Sequence, residues 1–268
     1  MLPGFGLSLG VTLAYLGVIV VLPLTALAIR PWELGLAGVW HALIDPRVAA
    51  ALKLSFGLSA LAALLSAPLG LLIAWTLTRY AFPGRRILDA LVDLPFALPT
   101  AVAGIALTAI YAPNGPLGAI AAKFGIKTAY SPLGIFIALV FIGLPFVVRS
   151  LQPVLQDLDN EVEEAAQTLG ATAIQRAVFV ILPGLLPALI SGVSLAFARA
   201  VGEYGSVVFI AGNLPMKTEI APLLIVIKLE QYDYAGAAAV GLAMVAISFG
   251  VLVVINAAQT WLAKRGRA

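Results

Sequence analysis

Residues 128–148 read TAYSPLGIFIALVFIGLPFVV, and residues 149–183 continue as RSLQPVLQDLDNEVEEAAQTLGATAIQRAVFVILP. The first stretch holds no Asp, Glu, Lys or Arg, and the second turns abruptly polar. A helix rises about 1.5 Å per residue, so roughly 20 apolar residues cross the ~30 Å hydrocarbon core of a bilayer. The junction at Arg149 therefore reads as a membrane span emerging into water. Outward from it the pattern repeats, with charge-free stretches at 1–29, 54–78, 94–122, 128–148, 177–198 and 234–263. They predict about six spanning helices, near 7–29, 53–77, 91–112, 132–151, 184–211 and 236–261. An all-α integral membrane protein, one transmembrane domain over residues 1–268, is the expected fold.

Composition agrees. The chain is 62% hydrophobic and 11% charged, with a mean hydropathy of +1.05, whereas a soluble domain carries about 25% charged residues. The solvent for such a surface must be lipid. The absence of cysteine excludes disulfides and thiolate metal sites, and the single histidine, His41, cannot build a His-based one. His41, near Asp45 and Arg47, reads as a solvated loop residue. The small net charge of +3 is scattered, unlike the clustered basic face that nucleic acid requires. Ala26-Leu27-Ala28 looks like a cleavage site, but no basic residue precedes the apolar run, so residues 7–29 are expected as a retained span.

Six spans put both termini on one side with connections 78–90 and 152–183; 30–52, 113–131 and 212–235 face the other. The first side carries Arg79, Arg85, Arg86, Arg149, Arg176, Lys264, Arg265 and Arg267. Its two dense clusters abut spans, which favours that side as cytoplasmic. Pro68, Pro95, Pro99, Pro145 and Pro187 interrupt apolar stretches, and the backbone groups they free need partners in protein or water. The cluster Pro113-Asn114-Gly115-Pro116 should end the third span. Small residues four apart, Ser194, Ala198, Gly202 and Ser206, and Ala235, Ala239 and Ala243, would let helices approach closely.

No motif for nucleotide binding or catalysis is present: the chain lacks G-x-x-x-x-G-K-[ST], G-x-S-x-G and H-E-x-x-H. Energy for transport would have to come from a partner or a gradient. The polar segment 152–183 is built as two short helices. Asn160 is placed to cap the first with Glu163 at the third position, Gly170 supplies a left-handed stop, and Thr172 can cap the second. The alanines between leave one face low and flat, suited to a groove in another protein.

The order Glu164-Ala165-Ala166, three residues, Gly170, and finally Val180-Ile181-Leu182-Pro183 resembles the cytoplasmic motif of ABC importer permeases, with Val180 where isoleucine is usual. The runs Asp93 to Gly104, Tyr111 to Gly115, Ala198 to Gly205 and Leu229 to Tyr234 look like the sulfate/thiosulfate branch of that family. Molybdate and tungstate permeases share the plan and stand as the alternative; a stand-alone secondary anion transporter lacks support in the charge pattern.

The resemblance implies the type I ABC importer permease fold in a bacterial inner membrane, with both termini cytoplasmic. It implies that Glu163, Glu164, Ala165, Ala166, Leu169, Gly170 and Pro183 couple to the ATPase. It also implies a sister permease, two ATPase subunits that use the ATP, and an extracytoplasmic sulfate-binding protein; this chain itself would hold no cofactor and no catalytic residue. Arg199, Glu203 and Tyr204 are candidates for the translocation pathway. An ionisable residue inside a span is a functional candidate, although Arg199 and Glu203, four apart on the expected fifth helix, could also neutralise each other.

Overall fold

The computed structural model describes residues 4–158 and 160–265. Among them there is no strand. The helices are α1 (Phe5–Leu16), α2 (Leu22–Ile29), α3 (Gly35–Ile44), α4 (Pro46–Arg79), α5 (Arg85–Val92), α6 (Leu94–Ala97) and α7 (Thr100–Tyr111). They continue as α8 (Pro116–Lys123), α9 (Pro132–Gln156), α10 (Asn160–Thr168), α11 (Ala173–Gln175), α12 (Leu182–Val201), α13 (Val207–Ile210), α14 (Ala221–Glu230) and α15 (Tyr234–Arg265). Five segments are long and apolar enough to cross a membrane, and α7 with α8, bent by 44°, forms a sixth if taken as one broken span. The chain is a multi-pass membrane protein.

The centre of the molecule is the mutual packing of α4, α9 and α12. Small residues make it tight. A methyl group built at Gly70 would stand 2.6 Å from Val147 Cγ1, and one at Gly192 would stand 2.9 Å from Val147 Cα. The close face of α12 is thus Gly192, Ala196 and Ala200, all buried, and not the series through Ser194 and Ala198. Both series have the same spacing; packing against α9 selects the one offset by two residues.

Several boundaries differ from those read off the sequence. The segment 30–44, expected as a loop, continues the first span as a 3₁₀ turn (Arg30–Leu34) and α3, so His41 is exposed on a helix. Asp45 begins α4 seven residues early, accepting from the backbone N–H of Arg47 (2.8 Å) and Val48 (3.3 Å) with Pro46 in the first turn, a strong start signal. The third span is interrupted: α5, α6 and α7 are separate, because Pro95 and Pro99 cannot donate to the helical ladder. The fifth span stops at Val201 rather than continuing to 211, and residues 202–206 form a second interruption before α13.

Candidate functional site

The two interruptions meet. α7 begins at Thr100 after Pro99, with no side-chain cap, and its first turns pack against residues 204–206. A methyl group at Gly104 would lie 2.7 Å from Ser206 Cα, and one at Gly205 would lie 3.0 Å from Thr100 Cβ. Glycine at 104 lets backbone touch backbone there, and glycine at 205 leaves room for the Thr100 side chain. The two sequence runs Asp93 to Gly104 and Ala198 to Gly205, distant in the chain, therefore form one junction within the membrane domain.

Glu203 organises that junction. Its side chain is 2% exposed. Oε1 accepts from the Ser206 backbone N–H at 2.8 Å and the Ser206 hydroxyl at 2.9 Å, while Oε2 accepts from Arg199 Nη1 at 2.6 Å. The helix has ended by then, so Glu203 folds back on the turn after it. Arg199 is about one third exposed, and among the described residues its hydrogen bond is made through Nη1. Tyr204 is half-buried against the cluster that includes Leu107, Ala200 and Val207. The structure thus brings Arg199, Glu203 and Tyr204 to one turn.

Of the polar segment 152–183, residues 152–156 belong to the end of α9, and 157–183 form the second polar centre. Gly170 has φ +83° and ends α10. Thr172 and Gln175 make a reciprocal capping box that starts α11. The Glu163 carboxylate pairs with Arg79 at the end of α4; the expected cap by Asn160 lies outside the described residues. Arg79 in turn lies 5.1 Å over the Trp75 ring. Glu163 and Ala166 therefore face the protein, while Glu164, Ala165 and Leu169 face out. Leu169 is 88% exposed, and Ile174 and Phe179 are also exposed. An apolar surface of this kind on a polar segment marks a place for a partner.

Three further ion-pair systems carry no signal of their partners in the sequence. Arg149 bridges Asp89 and Asp93; Arg47 grips buried Glu219; Lys228 Nζ reaches Asp233 Oδ2 at 2.8 Å. Asp233 also accepts from the Gly236 N–H at 2.9 Å, capping α15, and Lys228 holds its carboxyl below the usual range. The Asp45-Pro46 helix start beside Arg47 and the spacing of Asp89 and Asp93 were visible signals; the distant partners, Glu219 and Arg149, were not. Among the described residues no group of His, Cys, Asp and Glu could hold a metal ion.

Helices interrupted at packed, glycine-rich junctions, with a polar segment displaying apolar side chains, define a polytopic membrane permease. Residues 66–268 match the family described as binding-protein-dependent transport system inner membrane component. The chain is 48% identical over 265 residues to the sulfate transport system permease protein CysT of Salmonella typhimurium, covering 99% of this chain and 96% of that protein. With the protein of the same name from Synechocystis it is 49% identical over 251 residues, covering 94% and 88%. A bacterial ABC transporter involved in the import of the acidic polysaccharide alginate has the same fold, with TM-score 0.77 at 15% identity over 93% of this chain and 92% of that one. The chain belongs to the binding-protein-dependent transport system inner membrane component family.

Proposed function

We propose that this chain is the permease subunit of an ATP-driven importer of sulfate, contributing half of the translocation pathway. The observation that carries the substrate is the 48% identity, over nearly the whole of both chains, to sulfate transport system permeases. Two runs that make the junction, Asp93 to Gly104 and Ala198 to Gly205, are among those read as resembling the sulfate branch.

Segment 157–183 then serves as the coupling element on the cytoplasmic side, with both termini on that side. Glu164, Ala165 and Leu169 form the face offered to an ATPase, Gly170 and Pro183 shape the segment, and Glu163 and Ala166 anchor it from behind. ATP is bound and hydrolysed by two partner subunits, and this chain holds no cofactor. A second permease completes the pathway. The fully exposed apolar surface of α1 supports such a neighbour, or lipid, along that helix. A neighbour in fold, the bacterial alginate transporter, was solved with a ligand-bound periplasmic protein, which supports an extracytoplasmic binding protein here. Arg199 presents positive potential at the junction, offering a passing dianion weak attraction that does not trap it.

Co-purification in mild detergent tests the assembly: an ATPase subunit should come down with the chain. In proteoliposomes, sulfate-loaded binding protein should stimulate ATP hydrolysis. Stimulation by molybdate-loaded protein alone would overturn the substrate.

A further inference from the structure

Arg149 lies about two turns before the end of α9, and all five of its N–H donors are used. Nε donates to Asp93 Oδ1 at 2.7 Å and Nη2 to Asp93 Oδ2 at 2.6 Å. Nη2 also donates to the Asp89 carbonyl oxygen at 2.9 Å, and Nη1 to Asp89 Oδ1 at 2.7 Å and to Gln152 Oε1. Gln152 Nε2 closes the ring by donating to Asp89 Oδ1 at 3.0 Å. A guanidinium with every donor occupied has nothing left to offer a passing anion. Its chemistry is that of a joint.

The position of the joint gives it meaning. Asp89 belongs to α5 and Asp93 follows α5 directly, just before the Leu94–Pro99 interruption. On the other side, α9 leads through residues 157–158 into α10, the candidate coupling helix. Two carboxylates gripping one planar fork at two separate points fix both distance and angle. Without them the chain at Asp93 and at Leu98, which is extended, could act as a hinge and absorb any displacement arriving from α9.

We propose that Arg149 is a positioning residue that locks the α5–α6 elbow to the α9–α10 junction, so that motion of the coupling segment reaches the interrupted third span without slack. The inference rests on the importer reading above. It assigns to Asp89, Asp93 and Gln152 the holding of that lock, which stays closed throughout the transport cycle. Lysine cannot replace Arg149, because a point charge grips one carboxylate and leaves the angle free.

The test uses the complete transporter in proteoliposomes, reading sulfate uptake per ATP hydrolysed alongside assembly yield. Wild type, Arg149→Lys and Arg149→Gln are compared. Uptake per ATP should fall about tenfold in the assembled Arg149→Lys complex, a size in the range of ordinary site-to-site coupling, while hydrolysis continues. A merely structural role would lower yield and leave uptake per ATP unchanged, and that result overturns the proposal. Should the variants fail to assemble, a second measurement decides. In this cysteine-free chain, Asp89→Cys with Gln152→Cys opens the lock and lets a short reducible cross-linker close it again. Low uptake per ATP in the reduced protein, restored on cross-linking, supports the lock; uptake per ATP that cross-linking leaves unchanged or lowers overturns it. A wild-type complex whose ATPase ignores loaded binding protein would overturn the importer reading and this inference together. A stimulated wild type beside a fully coupled Arg149→Lys overturns the inference alone.

Discussion

Arg47 grips Glu219 with two parallel bonds, Nε to Oε2 and Nη2 to Oε1, both at 2.7 Å, although the two residues stand 172 positions apart. The pair ties the first turn of α4 to the segment before α14, where the Ala221 N–H also donates to Ser55 Oγ at 2.8 Å. The partners are unequal: the Glu219 side chain is 1% exposed and that of Arg47 is 38%. Removing either partner therefore leaves very different remainders.

Arg47→Ala strands a carboxylate with no water to turn to, which should cost about 3–5 kcal/mol. Glu219→Gln leaves an arginine that can swing into solvent, and the loss should be nearer about 1–3 kcal/mol. Thermal unfolding of both variants in lipid nanodiscs checks the order. Equal losses would show that the pair is solvated on both sides.

Glycine positions at the junction of the two interruptions should separate sharply. Gly104→Ala drives a methyl group into the backbone of Ser206, whereas Gly202, at φ −87°, has nothing within 4 Å of an added Cβ. Overpacking against immovable backbone costs about 1–3 kcal/mol, so Gly104→Ala should reduce sulfate uptake in protein that still reaches the membrane. Gly202→Ala should transport normally. Uptake normalised to membrane-inserted protein is the measurement, and equal uptake would mean the junction has room to spare.

The Arg149 joint should respond to acid in a defined window. Asp89 is held below the ordinary carboxylate range, first by the Gln152 amide and then by the Arg149 guanidinium. A depressed folded-state value contributes stability above the unfolded value of about 3.9, and that stability is lost as pH falls through the lower folded value. Protection of α5 amides from hydrogen exchange, relative to the intrinsic rate at each pH, should be unchanged between pH 7 and 5 and fall only below about pH 4. In Asp89→Asn the fall from this residue should vanish. Opening near pH 6 would point to a different group.

Accessibility fixes the orientation. In this cysteine-free chain, Leu169→Cys should react with a membrane-impermeant maleimide only from the cytoplasm, and Lys123→Cys only from outside. The reverse pattern would invert the topology and remove the ATPase-facing role proposed for segment 157–183.

What the sequence could disclose follows from the physics of each feature. Membrane spans are legible because lipid forbids charge over a fixed length, and the charge-free stretches had that length. Gly170 and Thr172 were legible because local backbone geometry restricts which residues stop and start a helix. The break at Pro95 and Pro99 was signalled, but the run looked continuous because hydropathy does not register a missing donor. Long-range partners carry no such local trace. That Glu163 meets Arg79 depends on the approach of α4 to α10, which no local pattern records. Likewise Gly192 and Ser194 begin equally regular small-residue series, and only Val147 on α9 chooses between them.

Arg199 and Glu203 pose the sharpest functional question. Glu203 is buried, yet it retains two bonds from Ser206 if Arg199 is removed. Arg199→Gln alone should therefore be milder than the usual stranding of a buried charge, about 3–5 kcal/mol. With Glu203→Gln added, the amide oxygen can still accept from Ser206 and the charge is gone, so the double variant should fold and assemble. Two roles then diverge. If Arg199 serves only to neutralise Glu203, the double variant imports sulfate at the wild-type rate. If its guanidinium draws the dianion, as proposed, the double variant assembles but transports poorly, and returning Glu203 to Arg199→Gln does not rescue it. Sulfate uptake per assembled complex, measured for wild type, both single variants and the double variant, separates the two. Added salt sharpens the comparison, because screening weakens long-range attraction. Uptake by wild type should therefore fall with ionic strength more steeply than uptake by the double variant. Wild-type uptake in the double variant would leave the pair as structure and remove Arg199 from the pathway.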